Sequence, residues 1–141
     1  MTAVAAVGTT MATMSSSERE QYLADLHVGV VAVERPGRAP LAVPIWYGYS
    51  PGGEVLLWTD EDSLKHKLIR DAGRFTLTVQ DEQPPYRYVT AEGDVTGIGP
   101  ADDADMRAIA VRYLARRPGT NSPTRIRCPR RWPSACVRNA G

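Results

Sequence analysis

Thr59, Ser63 and Lys65 form a Thr-x-x-x-Ser-x-Lys cluster between an apolar run and a stretch of helical periodicity. Two hydroxyls, a lysine ammonium and the open amides of a helix N-terminus suit a phosphate dianion. The phosphate would be the handle of a cofactor rather than the reacting group. A plainer reading makes Ser63 a helix N-cap, Lys65 a solvated helix residue and Thr59 a strand end, and spacing alone leaves both open. Lys67 and Arg70 add positive charge along the same helix. Trp46, Tyr47, Trp58, Tyr86 and Tyr88 fall on successive strand-like runs. They are core or interface aromatics, or the walls of a site for a planar ring.

Other chemistry is sparse. No Ser lies in a Gly-x-Ser-x-Gly elbow, and no Cys precedes Cys128. His27 and His66 stand alone and read as solvated or strand-lining residues. Asp60, Glu61 and Asp62 read as a solvent-facing acidic loop, and no metal-ligand spacing occurs. With no side-chain catalyst for hydrolysis, an enzyme built on this chain needs a cofactor to supply the reactive atom.

The chain has 141 residues, which fits one domain with a modest core. No apolar run approaches a membrane span and no start resembles a signal peptide, so a cytoplasmic protein without a membrane partner is expected. Residues 1–16 are Ala/Thr/Ser/Met-rich and are expected to form a disordered tail. The net charge of +1 hides an asymmetry: residues 1–114 hold 10 Lys/Arg against 16 Asp/Glu, whereas residues 115–141 hold 7 Arg and no acid. Cys128 and Cys136 both lie in that last segment, without a zinc pattern. The basic segment lacks lysine, interleaved aromatics and amphipathic period, so no nucleic-acid partner is expected.

The elements that must position the cluster read as mostly strand. Ser17-x-x-Glu20 predicts a capping box opening a helix through Leu26. Strands are predicted over 27–34, 39–49 (with Pro44 at an edge or bulge), 54–59, 74–79 and 86–98. Leu64, Leu68 and Ile69 predict a helix over 63–72 ending at Gly73. A third helix is predicted over 102–114, with Asp102 and Asp103 in its first turn. Antiparallel strands with one helix between the third and fourth suggest a small barrel.

The run LAVPIWYGY, then VLLWT, S-L-K, AGRFTLTVQDE and PYRYVTAEGDV resembles the pyridoxamine 5′-phosphate oxidase-like superfamily. It is most similar to short members assigned as deazaflavin- or flavin-dependent proteins. The resemblance covers roughly residues 18–114 and implies a mostly β fold, the FMN-binding split β-barrel with about five to six antiparallel strands and α-helices. That domain would occupy residues 17–114. It implies a homodimer with FMN, or alternatively the deazaflavin coenzyme of the F(420) type, at the interface, and a small-molecule substrate. By the same resemblance Val43, Pro44 and Ile45 match the strand whose backbone meets the isoalloxazine ring. Trp58 and Thr59 match the aromatic-Thr pair, Ser63 and Lys65 the phosphate-binding Ser-x-Lys, and Arg87, Tyr88 and Val89 a segment that reads Arg-Gln-Val in true oxidases.

Where those oxidases carry Arg, Lys, Arg and Gln, this chain has Leu41, Trp46, Leu64 and Tyr88. Two bidentate phosphate clamps are thereby lost, which a lysine does not replace. The expectation is an oxidoreductase passing hydride to or from another small molecule, not vitamin B6 oxidation. A non-catalytic flavin-binding or carrier protein on the same barrel is the alternative. Residues 115–141 read as an aberrant Arg/Pro-rich tail produced by a frameshift. Back-translated with GC-rich codons and read two bases along, they can give AEAGDEFADQNPVSAPLAVRVRPERW, and on that reading the barrel lacks its last strand.

Overall fold

The computed structural model describes residues 14–113 and 123–128. Their order is α1 (Ser16–Ala24), β1 (Gly29–Arg35), β2 (Arg38–Ile45), β3 (Tyr47–Gly48), β4 (Val55–Asp60), α2 (Leu64–Ala72), β5 (Arg74–Gln80), β6 (Tyr88–Asp94), β7 (Gly97–Pro100), α3 (Asp103–Tyr113) and β8 (Pro123–Cys128). Two four-stranded antiparallel sheets result, ordered β2-β1-β5-β6 and β3-β4-β8-β7. This is a mostly β split barrel with three helices, as the sequence led us to expect.

The strand count exceeds the expected five to six because two predicted runs break where the chain changes sheet. The run 39–49 divides at Trp46, with β2 in the first sheet and β3 in the second. The run 86–98 divides at Val95–Thr96, with β6 and β7 likewise on different sheets. Continuous apolar alternation hides such a corner, since a bend need not interrupt it. Pro123–Cys128 adds the eighth strand, pairing with β4 from Val55↔Cys128 to Asp60↔Pro123 and with β7 from Gly97↔Arg127 to Pro100↔Thr124. A strand therefore occupies part of the segment expected to be an aberrant tail.

The start of the domain also differs. Ser15, not Ser17, is the N-cap of α1: its hydroxyl accepts from the Glu18 N–H while the Glu18 carboxylate accepts from the Ser15 N–H. Both serines begin an S-x-x-E motif, so spacing could not choose between them. Met14, within the stretch expected to be tail, is buried. Residues 1–13, the last residue of the predicted helix 102–114, and Cys136 lie outside the described residues.

Alternation in the strands builds the core between the sheets. Val31 and Val33, Leu57, Leu77 and Val79, and Val89 point inward, and α1 and α2 contribute Leu23 and Ile69. Burying each such side chain stabilises by roughly 2 kcal/mol. Gly29 marks the tightest approach: a Cβ there would lie 2.6 Å from Leu77 Cδ1 and 3.2 Å from Tyr47 Cδ1. Tyr47 is fully buried and donates its hydroxyl to the Leu23 carbonyl at 2.7 Å.

Candidate functional site

β4 delivers the chain to α2 through a tight turn in which the Ser63 N–H donates to the Asp60 carbonyl at 3.0 Å. Ser63 is extended (φ −68°, ψ 148°) and its hydroxyl accepts from the His66 N–H at 3.2 Å. The helix buries His66 and Ile69 and stops at Gly73, whose φ of +68° is the left-handed conformation that glycine adopts without steric cost. His66 is thus a core residue of α2, its Nδ1 without a partner among the described residues.

Thr59 and Ser63 meet: their hydroxyl oxygens are 2.6 Å apart. Thr59 is only 4% exposed, its hydroxyl turned to Ser63. Ser63 and Lys65 are half-buried at the first turn of α2. Helix geometry leaves the amides of Leu64 and Lys65 without intrahelical acceptors. The Ser63 hydroxyl, these two amides and Lys65 thus share the first turn of α2, groups of the kind that suit a phosphate. Leu64, at 50% exposure, stands at the seat and offers no second cation.

Trp58 does not join this group. Adjacent strand residues face opposite sides, and Trp58 turns away from Thr59 towards α3. There it lines a cavity of about 440 Å³ with Gly48, Leu56, Ile109, Arg112 and Arg127. Its indole N–H is buried without an acceptor among the described residues.

Val43, Pro44 and Ile45 lie on β2, the edge of the first sheet, where Pro44 pairs with Val30 and its missing N–H costs nothing. Val43 and Ile45 turn inward and Pro44 outward. Tyr88 opens β6, the opposite edge, paired with Gln80. Three interstrand steps separate the two edges, roughly 14 Å. Arg87 precedes it, its Nε–H donating to Asp81 Oδ2 at 2.9 Å and its guanidinium 5.0 Å from the Tyr22 ring centre. The structure thus pairs Thr59 with Ser63 and places Lys65 on the first turn of α2, with Val43–Ile45 on β2, Trp58 lining the cavity beside α3, and Arg87–Tyr88 at the start of β6.

Two arrangements escaped the sequence. His27 lies 4.3 Å from the Tyr22 ring, centre to centre, with Nδ1 3.9 Å from Asp81 Oδ1. Burial holds its imidazole below the ordinary pKa, and Asp81 pulls partly the other way. Trp46 stacks parallel on Tyr113 (5.1 Å between centres, 1° between planes). The His27–Asp81 and Trp46–Tyr113 pairs each join residues more than fifty apart in sequence, which no local spacing reveals. Burial also raises the tyrosine pKa values of Tyr22 and Tyr47 far above the usual range. Tyr47 packs in the core with its hydroxyl committed to the Leu23 carbonyl. Among the described residues no group of His, Cys, Asp and Glu could hold a metal, and no helix is long and apolar enough to cross a membrane.

No family model matches the sequence, and no curated protein does. Solved structures do. An F420 reductase superposes with a TM-score of 0.67 at 22% identity, covering 86% of this chain and 93% of its own. A conserved hypothetical protein from Mycobacterium tuberculosis gives 0.68 at 23% identity, covering 84% and 81%. A putative pyridoxamine 5′-phosphate oxidase from Listeria innocua gives 0.56 at 14% identity, covering 79% and 92%. The chain shares the fold of these structures, a split β-barrel.

Proposed function

We propose that this chain is an oxidoreductase that binds FMN or, alternatively, a deazaflavin coenzyme by its phosphate and transfers hydride to or from a small molecule other than a B6 vitamer. The observation that carries the reading is the donor set at the start of α2: the Ser63 hydroxyl, backed by buried Thr59, beside Lys65 and two open amides. A fold shared with proteins named for F420 and for FAD supports it. Leu64 at the seat, in place of a second cation, argues against the strong phosphate clamp of B6 oxidation.

The residues fit the group in a specific way. Lys65 neutralises charge, Ser63 and the amides orient the phosphate, and Thr59 fixes Ser63. Bound there, a reduced coenzyme supplies the hydride that no side chain of the chain can. Val43–Ile45, expected at the ring, and Arg87–Tyr88, expected to bind the cofactor, lie on opposite edges of one sheet, roughly 14 Å apart. A second copy of the chain, packed on the outward face of that sheet, would bring the two edges to one ligand. That face exposes Val28 (56%) and Val30 (40%) beside Pro44, an apolar surface suited to such a partner.

Titration of the purified chain with FMN and with the deazaflavin coenzyme, alongside sedimentation, tests the reading. One of the two should bind to a dimer, and Lys65→Ala should weaken it roughly ten- to a hundredfold, the loss of a charge-assisted contact. Unchanged affinity in Lys65→Ala removes this seat. Binding without turnover in a reduced-coenzyme assay points to a carrier.

A further inference from the structure

The two sides of β4 have different surroundings. Val55, Leu57 and Thr59 are buried in the barrel, whereas Leu56 and Trp58 line the cavity of about 440 Å³ beside α3, a volume within the range of small-molecule sites. From α3 come Asp105, Ala108, Ile109 and Arg112, one helical face, and from β8 comes Arg127. Ile109 is the only buried residue of α3, and a Cβ on Gly48 would lie 3.6 Å from its Cδ1. Arg112 ties the helix to the end of α1, its Nη atoms donating to the Leu23, Ala24 and Asp25 carbonyls. Three of the lining side chains carry a buried N–H with no acceptor among the described residues: Trp58 at Nε1, and Arg112 and Arg127 at Nε. Unmet buried donors are destabilising and native proteins hold few of them, so three around one cavity mark a place for acceptor oxygens. Glu54 does not fill that place. Its Oε2 stands 3.9 Å from Arg127 Nη1, beyond hydrogen-bond reach, and its Oε1 accepts from the Thr96 hydroxyl at 3.1 Å.

We infer that this cavity is a second binding site, separate from the coenzyme seat, and that its ligand is a small carboxylate with an apolar body. Two of the three unmet donors belong to guanidinium groups, which favour an anion through charge-assisted bonds. Leu56, Trp58, Ala108 and Ile109 give the cavity an apolar lining that a bare inorganic ion would leave in contact with nothing. Glu54 and Asp105 line it too, and their charge disfavours a dianion such as a phosphate monoester. The site stands apart from the surfaces used above. Strand pleating puts Trp58 and Thr59 on opposite sides of β4, and the face proposed for a second subunit belongs to the other sheet. The inference therefore does not depend on the coenzyme reading.

Benzoate, its uncharged counterpart benzamide, and acetate separate the charge from the apolar body, and calorimetry reads their affinities for the full chain. Benzoate should bind roughly tenfold more tightly than benzamide, which lacks the charge. It should also bind roughly tenfold more tightly than acetate, which lacks the ring. Arg127→Gln should erase the preference for benzoate over benzamide. Trp58→Phe, which removes the indole N–H and keeps an aromatic wall, should weaken benzoate several-fold. Thermal melting shows whether each variant is folded, and where one is not, the other carries the test. Lys65→Ala should leave benzoate binding unchanged. Absence of saturable benzoate binding, equal binding of benzoate and benzamide, or a benzoate affinity that survives both Arg127→Gln and Trp58→Phe overturns the inference. Loss of benzoate binding in Lys65→Ala also overturns it, since the carboxylate then occupies the coenzyme seat.

Discussion

Replacing Ser63 by Ala tests the centre of the candidate site through stability alone. The hydroxyl has two partners: it accepts from the His66 N–H at 3.2 Å and pairs with Thr59 Oγ1 at 2.6 Å. Losing the cap costs about 1 kcal/mol. Losing the second contact strands the Thr59 hydroxyl, 4% exposed, with only the Asp60 carbonyl at 3.4 Å left to it. That adds about 1 kcal/mol, the low end for an unsatisfied buried group. The total of about 2 kcal/mol should lower Tm by roughly 6–8 °C for a domain of this size. Thr59→Val alone should cost about 1 kcal/mol. The double variant should cost less than the sum, about 2 rather than 3 kcal/mol, because no hydroxyl is then left stranded. Urea unfolding of the four proteins yields the coupling energy directly. A coupling below about 0.3 kcal/mol refutes the paired-hydroxyl geometry and, with it, the assignment of Thr59 as the residue that positions Ser63.

Three further perturbations follow from the packing. Truncation after residue 114 removes β8 and leaves β4 and β7 without their shared neighbour, so cooperative unfolding should be lost, with proteolysis of the second sheet as the readout. Tyr47→Phe removes the buried hydroxyl that donates to the Leu23 carbonyl and should cost about 1 kcal/mol by thermal melt, leaving the coenzyme seat unaffected. His27 has a folded-state pKa below its unfolded value of 6.5, so the unfolded chain binds the extra proton first as pH falls. Its contribution is complete above pH 6.5 and declines as pH drops towards the folded pKa; Tm should fall between pH 7.5 and 5.5, and His27→Gln should reduce that slope.

The parts of the fold visible in the sequence were those set by local chemistry. Alternation marked the strands, and Ser63 and Gly73 bounded α2 to the residue, since an N-cap hydroxyl and a left-handed glycine are near-neighbour requirements. The corner at Trp46 was not visible, because a switch between sheets is decided by which distant strand is adjacent. The site was legible to a similar degree. Thr59, Ser63 and Lys65 sit within one turn of each other and could be grouped from spacing. Trp58 was grouped with them by adjacency, yet strand pleating turns it to the other side of the sheet, where it meets Ile109 and Arg112 of α3. Arg87 was expected beside a cofactor, and its guanidinium is engaged by Asp81, six residues earlier across the β5–β6 turn.

That engagement bears on how the site is assembled. An arginine already paired with a carboxylate at 2.9 Å and resting on a tyrosine ring gains less from a phosphate than a free one, since it must give up or share a charge-assisted bond. The Asp81 carboxylate, facing both Arg87 and His27, instead ties the start of β6 to the segment before β1. The first turn of α2, which carries Lys65, holds no acidic residue. In the proposed site the charge of a phosphate would therefore fall on Lys65 and the helix start, while Arg87 is held by Asp81 at the start of β6.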